Sequence, residues 1–386
     1  MTTQIAIGID ASSIDGGGGL THLSNLLANA VSFLGSSPKV LVWGRQKTLD
    51  AIPDAHCITK RSHRLLERGP VSRSAWQRYV LSRELEDYGC DVLLTAGSST
   101  LCAFRPSVVL SQNLLPFCPK ERRRYGILSW TRYRLWILRY LQMRSFTASN
   151  AVIFLTEESQ RIIEADIGYS FKLSAVVPHG VSNAFLLSQR TIRVSHSPST
   201  PFRLLYVSTV DRYKHQTAVA QSVLKLHSEG YSLQLSLIGT AYPPSLTELN
   251  ELCAQHDQNN AIIQYTGSIP YREMPSAYSD ADIFIFASSC ENMPNILLEA
   301  MAVGLPIACS SYSPMPEILG DAGIYFNPTD TQSITNAIRT LLNDQSLCQT
   351  LSDRAKERAH KFKWRKTAQD TFQFLTHVFQ SKNQFS

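Results

Sequence analysis

The chain has 386 residues, 44% of them hydrophobic and 18% charged, with a net charge of +6. At roughly 100–200 residues per domain this length predicts two packed globular domains, and the ordinary glycine, proline and charge content excludes disordered and collagen-like chains. Lys and Arg outnumber Asp and Glu by 21 to 14 over residues 1–185 but stand at 16 to 17 over 186–386, so the excess suits either a polyanion or an anionic membrane met by the first half, or a solvated basic face.

The N-terminus reads MTTQIAIGIDASS, without the basic start and apolar run of a secretory signal. No stretch approaches the roughly 18 apolar residues of a membrane span. The eight cysteines, at 57, 90, 102, 118, 253, 290, 309 and 348, show no C-x-x-C pair and no matching histidine spacing, which argues for reduced thiols and against zinc. The expected location is cytoplasmic, with any membrane contact peripheral, at the inner face of the cytoplasmic membrane.

Short apolar runs at 5–9, 40–43, 92–94, 108–110 and 152–155 read as buried strands, with helical patterns at 20–34 and 76–88 among them. A polar stretch, 188–201, interrupts the pattern and is the expected linker. Strand-like runs resume at 202–207, 233–239, 262–265, 283–286 and 306–309, again separated by helical segments. Strand alternating with helix predicts a parallel sheet in each half, and ligands in such sheets sit beyond the carboxyl ends of the strands.

The densest motif is S-S-C-E-N-M-P-N-I-L-L-E-A-M-A-V-G-L-P-I at 288–307, which follows a strand and runs into a helix beginning near Asn295. The free amides and positive dipole end of that helix suit an anion such as a diphosphate. Glu291 lies in the loop, and Glu299 lies about one turn into the helix. Spacing alone leaves them open between ligand-binding acids and a capping carboxylate with a surface glutamate.

This E-x7-E pattern within S-x-x-E-x-x-P-x-x-L-L-E-A-M-A-x-G-x-P resembles the hallmark of retaining glycosyltransferase family 4. Other segments agree in order: G-I-D at 8–10 with the glycine run 16–19, V-V-P-H-G-V at 176–181, Y-V-S-T-V-D-R-Y-K-H at 206–215, and P-E-I at 316–318 with G-D-A-G at 320–323. The resemblance implies an α/β protein of the GT-B fold, two Rossmann-like domains with parallel sheets facing across a cleft. Its expected parts are an acceptor-binding domain over 1–187, the linker 188–201, a nucleotide-sugar domain over 202–365 and a C-terminal helix over 366–386 packing back on the first domain.

By the same resemblance Glu299 holds the ribose hydroxyls, Glu291 contacts the transferred sugar, and Lys214 neutralises the diphosphate leaving group. Gly18 and Gly19 let backbone amides approach the phosphates, while Asn295 and Ile296 bind donor oxygens. No cofactor and no metal is implied. Two positions depart from the family pattern. Thr209 stands where an arginine is usual, with Arg212 nearby as the candidate replacement. Gln112 and Asn113 stand where a histidine motif is usual; glutamine can bond a sugar hydroxyl but is no general base near neutral pH.

The implied function is transfer of a hexose, of the mannose, rhamnose, glucose or galactose class, from a nucleotide-sugar to a lipid-linked or polysaccharide acceptor, as in bacterial surface polysaccharide and lipopolysaccharide biosynthesis. The alternative is an inactive GT-B homologue that binds sugar or lipid. A nicotinamide oxidoreductase is excluded, because the glycine run lacks the third glycine of G-x-G-x-x-G. A nucleic-acid partner is not expected, since no reader motif is present. Residues 121–144 hold seven arginines interleaved with Leu, Ile, Trp and Tyr, which fits either a helix resting on an anionic bilayer or a buried helix whose arginines reach solvent. His179 reads as a hinge residue, and His22 and His63 as structural or exposed.

Overall fold

A computed structural model describes residues 5–34, 39–188, 190 and 200–381. Most of the expected linker 188–201, and the last five residues of the expected C-terminal helix, lie outside the described residues. The chain forms two compact units, one of Met1–Pro119, Ile127–Gly180 and Lys363–Ser386, the other of Lys120–Gly126 and Val181–Phe362. The first division therefore comes at Gly180, and the short segment 120–126 belongs to the second unit.

Among the described residues the first unit holds seven strands: β1 (Ile7–Asp10), β2 (Val40–Trp43), β3 (Ile58–Arg61), β4 (Val92–Thr95), β5 (Ser107–Leu110), β6 (Ala151–Phe154) and β7 (Ser174–Val176). They lie in the order β3-β2-β1-β4-β5-β6-β7, every pair parallel, with Ile7 opposite both Val40 and Val92. The inner strands are buried along their whole length, as their unbroken Val, Ile and Leu runs require of a sheet covered on both faces. Two edge strands, β3 (ITKR) and β7 (SAV), escaped the sequence reading because they are short and only half-buried.

Two helices begin or end elsewhere than expected. The pattern at 20–34 starts earlier, at Gly17, so the glycines 17–19 form the first turn of the helix Gly17–Leu34. The pattern at 76–88 is two helices, Pro70–Tyr79 and Leu81–Asp87, broken at Val80. Trp76, Leu81 and Leu85 from both pieces fill one core with Trp43 and Leu93, which gave the sequence a single apolar period.

The C-terminal helix Trp364–Ser381 buries Trp364, Ala368, Phe372, Leu375 and Val378, a helical stripe that packs against the helix Gly17–Leu34. Its start sits against Gly180, where an added Cβ would come within 2.1 Å of the Trp364 backbone nitrogen. Only glycine fits that approach.

Among its described residues the second unit has six strands: β8 (Phe202–Val207), β9 (Leu233–Ile238), β10 (Ile263–Gly267), β11 (Ile283–Phe286), β12 (Ile307–Ser310) and β13 (Ile324–Phe326). Their order is β10-β9-β8-β11-β12-β13, again all parallel. The order reverses between β8 and β11, so the loops that leave those two strands emerge side by side.

Candidate active site

The loop after β8 carries a 3-10 turn, Arg212–Lys214, opened by Asp211, whose carboxylate accepts the Arg212 amide at 2.7 Å. The loop after β11 carries Ser289, Cys290 and Glu291. Ser289 ties the two together: its amide and hydroxyl donate to the Tyr213 carbonyl at 2.8 and 3.1 Å, and its hydroxyl meets His215 Nε2 at 3.0 Å. Burial lowers the His215 pKa to about 4, so the ring is neutral at ordinary pH.

Lys214, 6% exposed, forms an ion pair with Glu291 and lies over the Tyr213 and Phe286 rings at 4.9 and 5.5 Å. A buried ammonium is tolerable only with such compensation. Tyr206 donates to the Lys214 carbonyl at 2.6 Å and fixes the end of the turn.

Glu299 is buried in the helix Asn295–Val303, where Tyr271 donates to one carboxylate oxygen at 3.1 Å and Tyr278 to the other at 3.0 Å. Burial raises its pKa to about 7, against the two tyrosine bonds, which pull the other way. Phe185 packs edge-on against both tyrosines, at 5.8 and 5.5 Å between ring centres. The helix begins after Pro294 with no side-chain cap, and the Asn295 Oδ1 is buried without a hydrogen-bond partner among the described residues. The Ile296 carbonyl accepts Tyr278 at 3.2 Å. The first turn thus presents backbone donors and an unspent side chain beside Glu299.

The remaining cationic candidate, Arg212, is occupied elsewhere: its guanidinium donates to the Arg124 carbonyl and to Glu248, the latter at 3.3 Å. Thr209 bonds Thr240 at 2.8 Å.

In the first unit Gly18 and Gly19 lie in the opening turn of the helix after β1, at the reversal between β1 and β4. A Cβ on Gly19 would stand 3.0 Å from Gln112 Oε1 and 3.1 Å from Ile14. Gln112 is anchored by its backbone amide, which donates to Ser98 Oγ at 2.8 Å, and its Nε2 is buried without a partner among the described residues. The neighbouring Asn113 has its carbonyl oxygen engaged by the Leu115 amide at 3.2 Å, in a local turn. His22, read as structural or exposed, is buried and meets His179 at 2.8 Å between Nδ1 atoms.

Sequence reasoning did not find Tyr271, Tyr278, Ser289, His215 or Tyr125. Tyr125 donates to Asp211 at 2.8 Å and stacks edge-on to Tyr242. Tyr125, Tyr271 and Tyr278 come from stretches remote from the residues they serve, while Ser289 and His215 lie inside the motifs 288–307 and 206–215 but meet only when the two loops come together.

Comparison with known proteins agrees with this architecture. Residues 188–358 match the family described as glycosyl transferases group 1. The O-antigen chain mannosyltransferase B of Escherichia coli is 28% identical over 160 residues, 42% of either chain. The capsular polysaccharide biosynthesis glycosyltransferase CapM of Staphylococcus aureus is 22% identical over 237 residues, 58% of this chain and 61% of that one. The aligned stretches thus span less than two thirds of these relatives. Among solved structures, HepE of Anabaena in complex with UDP and glucose has a TM-score of 0.70 at 19% identity, covering 97% of this chain and 99% of that one. Sucrose-phosphate synthase of Thermosynechococcus elongatus has a TM-score of 0.77 at 16% identity, covering 98% and 100%. Residues 188–358 thus match the glycosyl transferases group 1, and the chain as a whole has the GT-B fold of these solved structures, with a parallel sheet in each unit.

Proposed function

We propose that the protein is a retaining, metal-independent glycosyltransferase that moves a hexose, of the mannose, rhamnose, glucose or galactose class, from a nucleotide-sugar to a lipid-linked or polysaccharide acceptor. It works at the inner face of the cytoplasmic membrane in peripheral contact with anionic lipid. The observation that carries the reading is the buried Lys214–Glu291 pair where the second sheet reverses its strand order, with Glu291 on the loop that runs into the helix carrying buried Glu299, within the stretch that matches group 1. The UDP and glucose bound by HepE support a nucleotide-sugar donor, and the O-antigen and capsule relatives support a polysaccharide product.

In this reading Glu299 exchanges its tyrosine partners for the ribose hydroxyls, since one carboxylate can accept both. The first-turn amides at Asn295 and Ile296 bind donor oxygens, and Gly18 and Gly19 leave room for backbone amides near the phosphates. As the bond between the anomeric carbon and the phosphate oxygen breaks, Lys214 moves from Glu291 toward the departing diphosphate, with Arg212 adding positive charge at longer range. Glu291, released, orients the sugar and stabilises its developing positive charge. Gln112 and Asn113 bond sugar hydroxyls. The acceptor oxygen attacks from the face the diphosphate leaves, and its proton passes to that diphosphate. No cofactor enters this scheme.

The test is calorimetric titration with UDP-, GDP-, ADP- and dTDP-sugars in a chelator, on wild type and Glu299→Ala, followed by NMR of the anomeric configuration after transfer. Tight binding of one donor family, weakened by the substitution, with retained configuration, is expected. Absence of binding to all four sinks the reading, and binding without turnover favours an inactive homologue.

A further inference from the structure

The helix Trp130–Ala148 is apolar on two sides. Its inner side buries Leu135, Gln142, Ser145 and Phe146 in the first unit. At about 100° per residue, Trp130, Tyr133, Trp136, Tyr140 and Arg144 fall within about 120° on the opposite side. That side faces solvent: Trp130 is 71% and Trp136 62% exposed, and Leu128, in the loop that enters the helix, is 100% exposed beside Ile127. The Trp130 and Tyr133 rings lie 5.7 Å apart, so the aromatic surface is continuous. Single exposed apolar residues are ordinary, but a run of large ones on one helix face marks an interaction surface.

The charge around this stripe has one sign. Arg132 and Arg134 flank it on either side, and Arg144 continues it. Arg139 is paired with Asp166 at 2.6 Å. From 122 to 156 the sequence contains no aspartate or glutamate. A second copy laid symmetrically on this face would set Arg134 and Arg144 against their own equivalents with no carboxylate from this segment to answer them. A bilayer of anionic lipid supplies both what the aromatics need and what the arginines need. Trp and Tyr rings settle at the headgroup level, and guanidinium groups pair with lipid phosphates.

We propose that the outward face of the helix Trp130–Ala148, with Ile127 and Leu128, is the surface by which this chain docks on an anionic bilayer. This deepens the membrane contact of the proposed function and gives it an address, while resting on none of its sugar chemistry.

The experiment is flotation of the full chain with vesicles of phosphatidylglycerol and phosphatidylcholine, and with phosphatidylcholine alone. It compares wild type with Trp130→Ser/Trp136→Ser and with Arg134→Gln/Arg144→Gln. Wild type is expected to float with the anionic vesicles, to be released as salt rises from about 0.1 to 0.5 M, and to bind phosphatidylcholine weakly. Both variants are expected to lose at least about tenfold in partition, in line with loss of buried aromatic area or of about 1 kcal/mol per arginine. Melting temperature and nucleotide affinity stay unchanged, because all four side chains are outside the core and the candidate site. Failure of wild type to float, or flotation unaltered in both variants, overturns the proposal. So does a wild-type dimer in solution that the tryptophan variant abolishes, since the face is then an interface between copies. Flotation needs neither donor nor acceptor, so its failure leaves sugar transfer standing, and failure of transfer to a soluble acceptor leaves the docking surface standing.

Discussion

Lys214 and Glu291 stand 77 positions apart in the chain and meet as a buried ion pair, because the strands that precede them are neighbours in the sheet. Removing one partner strands a buried charge, which costs about 3–5 kcal/mol in comparable settings. Lys214→Ala is therefore expected to lower the melting temperature and to reduce kcat/KM by at least about 100-fold. Lys214→Ala/Glu291→Gln recovers most of the stability and none of the turnover. Thermal melts beside transfer kinetics check both halves; a double variant that regains turnover contradicts the assigned roles.

Glu299 gives a pH dependence with a definite sign. Its pKa lies near 7 in the folded protein against an ordinary 4.5. Its contribution to stability is complete below 4.5 and is lost as pH rises through about 7. Donor affinity runs the other way, since ribose hydroxyls donate to the ionised form. Nucleotide binding is expected to strengthen by up to about tenfold per pH unit below 7 and to level off above it. Titration from pH 5.5 to 8 on wild type and Glu299→Gln reads this directly, and a slope of equal size in the variant refutes the assignment.

Tyr125 acts through Asp211 on the turn that delivers Lys214. Its hydroxyl shares the Asp211 oxygen that also caps the Arg212 amide. Tyr125→Phe removes one hydrogen bond of about 1 kcal/mol and leaves the ring in place. The expected result is a lower kcat with KM nearly unchanged, and a small loss in melting temperature. A change confined to the melting temperature means that the bond is only structural.

The His22–His179 pair makes the first unit sensitive to acid. Burial lowers the His22 pKa from 6.5 to about 4, and burial together with the neighbouring His22 lowers that of His179. The folded protein resists protons that the unfolded chain accepts, so stability is complete above about 6.5 and is lost as pH falls toward 4. The slope approaches about 1.4 kcal/mol per pH unit for each ring. Denaturant melts between pH 7 and 4.5 are expected to show it, and His22→Gln, whose amide can still meet His179, is expected to flatten it.

Much of the architecture was legible in local pattern. Continuous Val, Ile and Leu runs announced the inner strands, because a strand covered on both faces needs no polar alternation. The motif 288–307 announced a loop entering a helix N-terminus, and with it Glu291 and Glu299. The edge strands β3 and β7 were not legible, because half-buried edges accept ITKR and SAV, which carry no buried-strand signature. Nor could composition choose between two roles for the arginine-rich segment. Its large apolar residues lie on two opposite sides among the arginines, and which aromatic faces the core depends on where the helix axis lies on the sheet.

The sequence by itself determined the two parallel α/β units, which follow from periodicity along the chain, while the residues of the candidate site came from the resemblance of its motifs to a known family. Only the tertiary structure decided the partners: Lys214 with Glu291, Glu299 between Tyr271 and Tyr278, Tyr125 on Asp211, His22 against His179. The physical reason is that a carboxylate's charge state and a lysine's reach are set by burial and by neighbours from distant segments, and these become neighbours only when strand order brings their loops to the same end of a sheet.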